Sequence, residues 1–166
     1  MPKIIIIRGN SGSGKSTIAK ALQRKFGRGT LLIQQDVIRR DMLWVNDGSD
    51  TKAIPLLFNL IKYGKDNCDY IILEGILNAK WYKCLFERIR DEFEPYIYAY
   101  YYDLPFEETL LRHKTKPNAN EFGEKEMKSW WNEKDYIGFI KEKIITKDVS
   151  IDEAVDMIYK DVNYEN

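Results

Sequence analysis

The feature that most limits what this chain can fold into is the run Gly9-Asn10-Ser11-Gly12-Ser13-Gly14-Lys15-Ser16. It directly follows Ile4-Ile5-Ile6-Ile7 and leads straight into Thr17-Ile18-Ala19-Lys20-Ala21-Leu22. An unbroken β-branched run reads as a strand buried on both faces, and the stretch after the glycines has helical character. Strand, glycine loop and helix in that order, with Gly-x4-Gly-Lys-Ser spacing, form a phosphate-binding loop. Glycines let backbone N–H groups turn inward around phosphate oxygens with no Cβ in the way. The helix that starts near Lys15 aims the positive end of its dipole at the same oxygens. Lys15 reaches the outer phosphates, and the Ser16 hydroxyl is a ligand for Mg²⁺. Gly9, Asn10, Ser11, Gly12, Ser13, Gly14 and Thr17 complete the expected set of nucleotide contacts.

The rest of the chain alternates short apolar runs with helical periodicity. A first helix runs from Lys15 to about Phe26, with Ile18, Leu22 and Phe26 on one side and Gly27 and Gly29 as its stop. Leu31-Leu32-Ile33 is a second strand, ending at Gln34-Gln35-Asp36. Asn46-Asp47-Gly48-Ser49-Asp50 is a loop by composition, and Ile54, Leu57, Phe58 and Ile61 mark the next helix. Asp69 to Gly75 is a third strand, followed by a helix carrying Tyr82, Leu85, Phe86, Ile89 and Phe93. Tyr96 to Tyr102 is a fourth strand, and Pro105 opens a helix with Glu107 and Glu108 in its first turn. Lys114 to Glu126 is polar and reads as a mobile loop. Lys143-Ile144-Ile145-Thr146 is a fifth strand, and Ser150 with Glu153 is a capping box for the last helix. Strands alternating with helices call for a three-layer α/β/α fold around a five-stranded parallel sheet. Ligands of such sheets sit at the carboxyl ends of the strands, which here are polar: Arg8-Gly9, Asp36, Glu74, Asp103 and Thr146-Lys147-Asp148.

Composition narrows the function. At 166 residues the chain is one domain, 1–166, with 44% hydrophobic residues to build a core. Lys plus Arg equals Asp plus Glu at 26 each, which removes the overall basic footprint a long nucleic-acid partner needs. The isoleucine run is too short to cross a bilayer, and Met1-Pro2-Lys3 carries no signal-peptide pattern, so a cytoplasmic protein without a membrane partner is expected. Cys68 and Cys84 lack metal-site spacing and read as free thiols.

The strand ends supply the chemistry. Asp36, in Asp36-Val37-Ile38-Arg39-Arg40-Asp41, is placed either to take the proton of an acceptor hydroxyl or to cap a helix, two roles that are compatible. Arg39, one turn on, faces the same way and holds either the acceptor or a phosphate. Arg40 and Asp41 read as solvated. Glu74 ends an apolar strand as a Walker-B-type acid does, holding Mg²⁺ through water, binding the acceptor, or bonding to the loop as a structural carboxylate. Asp103 either joins that site or caps the helix that Pro105 starts. Arg112, Lys114 and Lys116 flank the polar segment, whose closure would bring cations to a transferring phosphoryl group. His113 has no partner that would make it catalytic. Among the aromatics, Trp44 is the one expected to line an acceptor pocket, because it follows the Asp36 segment and enters a polar loop.

These residues carry a family resemblance. The loop from Gly9 to Ser16, the Asp36-Val-Ile-Arg39 element and the segment from Leu104 to Pro117 resemble the small P-loop kinases of the nucleotide- and nucleoside-kinase-like group. The Asp-x-x-Arg element is similar to that of the 5′-hydroxyl polynucleotide kinases, and chloramphenicol phosphotransferases and zeta-toxin kinases place an acid there too. The segment from Leu104 looks like that of compact bacterial proteins labelled uridine kinases. The resemblance implies a P-loop NTPase fold with a mobile lid at about 112–127, and ATP and Mg²⁺ as cofactors. It implies Lys15 and Ser16 on phosphates and metal, Asp36 as base, Arg39 on the acceptor or a phosphate, and Arg112 on the lid or the adenine face. Lys116 stands where the family offers an arginine, and a lysine lacks the bidentate fork. With only Arg39 and Arg40 as a pair near the pocket, a hydroxyl acceptor is favoured over a phosphate acceptor. The expectation is a kinase for a small-molecule hydroxyl, a nucleoside or similar metabolite, acting as monomer or homodimer. The alternatives are a 5′-hydroxyl polynucleotide kinase and a nucleotide-dependent switch with no acceptor.

Overall fold

Four consecutive isoleucines in an extended chain place alternate side chains on opposite faces, so both faces need a covering layer. The computed structural model, which describes residues 1–117 and 119–164, provides both layers. Strand β1 (Lys3–Gly9) lies at the centre of a five-stranded parallel sheet of order β2-β3-β1-β4-β5. Its neighbours are β3 (Tyr70–Gly75) and β4 (Ile97–Tyr102), and β2 (Leu31–Gln34) and β5 (Glu142–Ile145) form the edges. Ile4 and Ile6 pack with α3 (Ala53–Asn67) and α4 (Lys83–Phe93), through Leu57, Ile61, Leu85 and Phe86. Ile5 and Ile7 pack with α1 (Lys15–Phe26) and α7 (Ile151–Tyr164), through Ile18, Leu22, Ile158 and Val162. All four isoleucines are fully buried, each worth about 1.5–3 kcal/mol of transfer free energy.

The expected elements form, with ends shifted by one or two residues. The last helix is capped as the sequence suggests, with the Glu153 N–H donating to Ser150 Oγ at 3.1 Å. Two segments differ. The Asp36 region begins as α2 (Gln35–Val37) and runs on as a π-helical turn, Ile38–Leu43, ended by Trp44 in the left-handed region at φ 52°. After α5 (Phe106–His113), the stretch expected to be a loop contains the start of a short helix, α6 (Glu124–Ser129). His113 stacks on Phe122 at 4.4 Å, and its Nε2 meets the Phe122 carbonyl at 2.7 Å. An aromatic and a buried histidine therefore give this polar segment a packed interior.

Register fixes what meets at the carboxyl edge. Glu74 lies opposite Ile7 of β1 and Gln34 of β2, while Gly9 lies opposite Tyr102 of β4. Just before Gly9, Arg8 is fully buried. Its guanidinium donates to the Leu77 carbonyl at 3.2 and 2.9 Å, to Glu142 Oε1 at 2.7 Å and to Asp135 Oδ2 at 2.8 Å. It also lies against the rings of Phe86 and Tyr101. Replacing Arg8 by methionine leaves Glu142 and Asp135 without their cation. We expect a loss of about 3–5 kcal/mol, the usual consequence of halving a buried ion pair. Thermal unfolding should fall by about 10 °C or more for a domain of this size. An unfolding midpoint equal to wild type would show that the guanidinium carries no such weight.

Candidate active site

The phosphate loop runs from the end of β1 to the start of α1 through positions that exclude a side chain. Gly9 has φ 151°, and a Cβ there would fall 2.8 Å from the Cβ of Tyr102. Gly12 has φ 83°, and its Cβ would fall 2.5 Å from the Thr109 carbonyl oxygen. Only glycine lets the loop pass this close to β4 and α5. Inside the loop, the Asn10 carbonyl accepts Ser13 Oγ at 2.6 Å and Lys15 Nζ at 2.9 Å. Lys15 is buried, and burial lowers its pKa to about 8 against the opposing charge of Glu74. Arg112 braces the loop from outside, donating from Nη1 to the Ser13 carbonyl at 2.9 Å while its Nε holds Glu108 at 3.1 Å.

Where α1 meets β3, Ser16 Oγ donates to Glu74 Oε1 at 2.9 Å, and the Gln34 amide donates to the same oxygen at 3.2 Å. A hydroxyl beside a carboxylate is an all-oxygen donor set, the kind a hard cation such as Mg²⁺ takes. Among the described residues no group of three or more acidic, histidine or cysteine side chains is placed to hold a metal ion. Mg²⁺ at phosphoryl groups takes most of its ligands from phosphates and water, and a hydroxyl with a carboxylate fits that demand.

The opposite wall comes from the π-helical turn. Asp36, Arg39 and Arg40 stand at i, i+3 and i+4, which puts them on one face. Asp36 Oδ1 accepts Arg39 Nη2 and Arg40 Nε, each at 3.0 Å. Arg39 also donates to the Val45 carbonyl at 3.2 Å. Arg40 lies over the rings of Phe122 and Trp130, at 5.9 and 5.6 Å from their centroids. Between this wall and the phosphate loop is a cavity of about 630 Å³, bordered by Lys15, Ser16 and Glu74 on one side and Asp36, Arg39 and Arg40 on the other. Lys116 also borders it, half-buried, with its pKa lowered by that burial.

The structure thus brings together Ser11, Gly12, Lys15, Ser16, Asp36, Arg39, Glu74 and Lys116 around one space. Arg112 sits behind the loop, Gly14 is the loop residue that caps α1, and Thr17 is exposed on the first turn of that helix. Three expectations are corrected. Trp44, which ends the π-helical turn, is 91% exposed and outside the cavity; Trp81, Trp130 and Trp131 border the space instead. Arg40, read as solvated, is a wall of the cavity because its i+4 position matches Asp36. Asp103 does not reach the site, since Lys134 Nζ at 2.5 Å and the Tyr136 hydroxyl at 3.1 Å hold it. Sequence reasoning took Asn10 as a nucleotide contact and missed Asn132; the Asn10 side chain and the Asn132 backbone join the phosphate loop to the 130–132 segment by two bonds of 2.7 Å. It also missed Asp47, whose loop looked like solvated turn sequence. The one available signal, tyrosine at position 82 on a core helix face, becomes legible only once its hydroxyl finds Asp47 at 2.6 Å.

The sequence profile of the AAA domain matches residues 4–94. A gluconokinase from Sinorhizobium meliloti 1021 superimposes with a TM-score of 0.66 at 16% identity, covering 95% of this chain and 89% of that one. The APS kinase of Mycobacterium tuberculosis, solved with AMPPNP and APS, gives 0.61 at 19% identity over 96% of both chains. The tunicamycin resistance protein of Deinococcus radiodurans gives 0.63 at 16% identity, covering 98% of this chain and 96% of that one. At these identities the likeness concerns the fold alone, a parallel-sheet α/β fold shared with the gluconokinase and the APS kinase. No curated protein sequence matches this one.

The lowered pKa of Lys15 has a measurable sign. Below about pH 8 the ammonium is charged, and above it the buried group loses its proton. With ATP as ligand, affinity should weaken about tenfold between pH 7 and pH 9, as the protonated fraction falls from about nine-tenths to about one-tenth. Calorimetric titrations across that range, with Lys15→Met as the control that loses the dependence, check it. An affinity flat to pH 10 would contradict it.

Proposed function

The chain belongs to the AAA-domain family, and on that premise we propose that it is an ATP- and Mg²⁺-dependent kinase that phosphorylates a hydroxyl of a small molecule, a nucleoside or similar metabolite. The observation that carries this reading is a cavity that has the phosphate loop on one wall and Asp36 on the other. Phosphoryl transfer asks for a phosphate cradle, a metal site, a group that orients the nucleophile and cations for the moving charge. The cradle is Gly9 to Ser16. Ser16 and Glu74 are the residues that would hold Mg²⁺, which when bound neutralises charge on the phosphates.

Asp36 is the base. Both arginines bind its Oδ1, which leaves Oδ2 to take the proton of the acceptor hydroxyl. The acceptor oxygen then bonds to the γ-phosphorus as the bond to the β-phosphate oxygen breaks, and ADP leaves. Lys15 and Lys116 supply positive charge on the phosphate side, and their partial burial strengthens each charge interaction they make. Arg39 fixes the Asp36 carboxylate, and Arg112 keeps the loop in shape through the Ser13 carbonyl while serving the nucleotide side.

The test is ADP release from ATP and Mg²⁺ against nucleosides, sugars, aminoglycosides, chloramphenicol and a short 5′-hydroxyl oligonucleotide. Asp36→Asn should lower the acceptor-stimulated rate by about 10²- to 10⁴-fold, the usual cost of losing a general base, while ATP still binds. Full turnover in Asp36→Asn would reduce Asp36 to a structural cap.

A further inference from the structure

Asp47 has no part in the mechanism above, yet its carboxylate borders the same cavity and is fixed from several sides. Its Oδ1 accepts the Tyr82 hydroxyl at 2.6 Å and the Gly48 N–H at 3.0 Å. Its Oδ2 accepts the Gln35 amide at 3.4 Å. That amide also donates to the Tyr82 hydroxyl at 2.8 Å. Tyr82 is fully buried and Gln35 nearly so, and burial first and then the Asp47 carboxylate push the Tyr82 pKa upward. Gln35 immediately precedes Asp36 in the chain, and Asp36 and Asp47 border the same cavity.

Two features set Asp47 apart from a simple loop pin. The first is unused capacity. Oδ1 already has two short donors, whereas Oδ2 has one long contact, and a carboxylate oxygen accommodates two good ones. The second is charge. Among the residues bordering the cavity away from the phosphate loop are two cations, Arg39 and Arg40, and two anions, Asp36 and Asp47. Without Asp47 this wall would carry one excess positive charge and would welcome an anion. With it, the wall is balanced, and an incoming phosphate or carboxylate meets a like charge at close range.

We propose that Asp47 is a specificity-determining residue of the acceptor site: it selects an uncharged acceptor that offers a second hydrogen-bond donor, a hydroxyl or an amine, beside the reacting hydroxyl. The inference rests on the kinase reading of this cavity. The acceptor's second donor occupies Oδ2 of Asp47 while its reacting hydroxyl faces Asp36. Tyr82 and Gln35 act through Asp47 as positioning residues.

The experiment compares wild type and Asp47→Asn with ATP and Mg²⁺ on two matched pairs, glucose with gluconate and uridine with uridine 3′-monophosphate. Asparagine keeps an oxygen for the Tyr82 hydroxyl, and thermal unfolding and ATP affinity, measured alongside, confirm that the variant is folded. The wild type should favour the uncharged member of a pair. Asp47→Asn should raise KM for that member by about tenfold or more, the weight of a charged hydrogen bond, with a much smaller change in kcat. It should also narrow or reverse the preference over the anion. An unchanged KM and preference in Asp47→Asn would overturn the proposal, as would a wild type that favours the anionic members. Failure of both uncharged probes to stimulate the wild type overturns it too, and the wider acceptor panel then decides the kinase reading separately.

Discussion

A guanidinium sealed from water at the end of the central strand sets how the walls of the site meet. Burying an unpaired Arg8 would cost several kcal/mol, so its partners must arrive in fixed places. Those partners come from three separate stretches: the Leu77 carbonyl after β3, Asp135 in the segment before β5, and Glu142 at the start of β5. Asp135 in turn accepts the Ala79 N–H at 2.8 Å, which fixes the stretch leading to Trp81. Glu142 accepts the Ile137 N–H at 2.9 Å. One buried charge thus ties the segments around residues 77–81 and 132–142 to the strand that ends in the phosphate loop. Asn10 and Asn132 extend the same tie by one residue into the loop itself.

The cavity that results separates two electrostatic tasks. On the phosphate side the groups are Lys15 and Lys116, both with burial-lowered pKa values, beside the Ser16–Glu74 oxygen pair. A cation that gives up hydration on burial is an incomplete partner in the free protein, and phosphate oxygens complete it. On the far side the carboxylates are held by protein contacts: Asp36 by two arginines, Asp47 by the neutral donors Tyr82 and Gln35. On the proposed reading, one wall receives the negative charge of the nucleotide and the other an uncharged acceptor.

The fold was legible because its main signals are local. Four isoleucines ahead of a glycine loop, helical spacing from Ile18 to Phe26 and the Ser150 cap each depend on neighbours in sequence, and each element forms close to its expected ends. The core of the site was legible for the same reason, since loop, Lys15 and Ser16 form one contiguous motif. Asp36 and Glu74 followed from the rule that parallel strands present ligands at their carboxyl ends. What stayed hidden depends on contacts across long sequence separations. Arg8 meets Glu142 across the sheet, Asn10 meets Asn132, and Asp47 meets Tyr82. Trp44 misled because following a polar segment in sequence says nothing about which side chains the fold leaves in solvent, and this ring is 91% exposed.

The central claim is that Asp36 and the phosphate loop work on one phosphoryl group passing between two molecules. The direct measurement is the fate of label from [γ-³²P]ATP in the presence of Mg²⁺ and a stimulating acceptor, separated into inorganic phosphate and organic phosphate ester. The account predicts that label appears in the ester in step with ADP release. Label found in inorganic phosphate alone, at the same rate with and without acceptor, would contradict it and leave a nucleotide hydrolase.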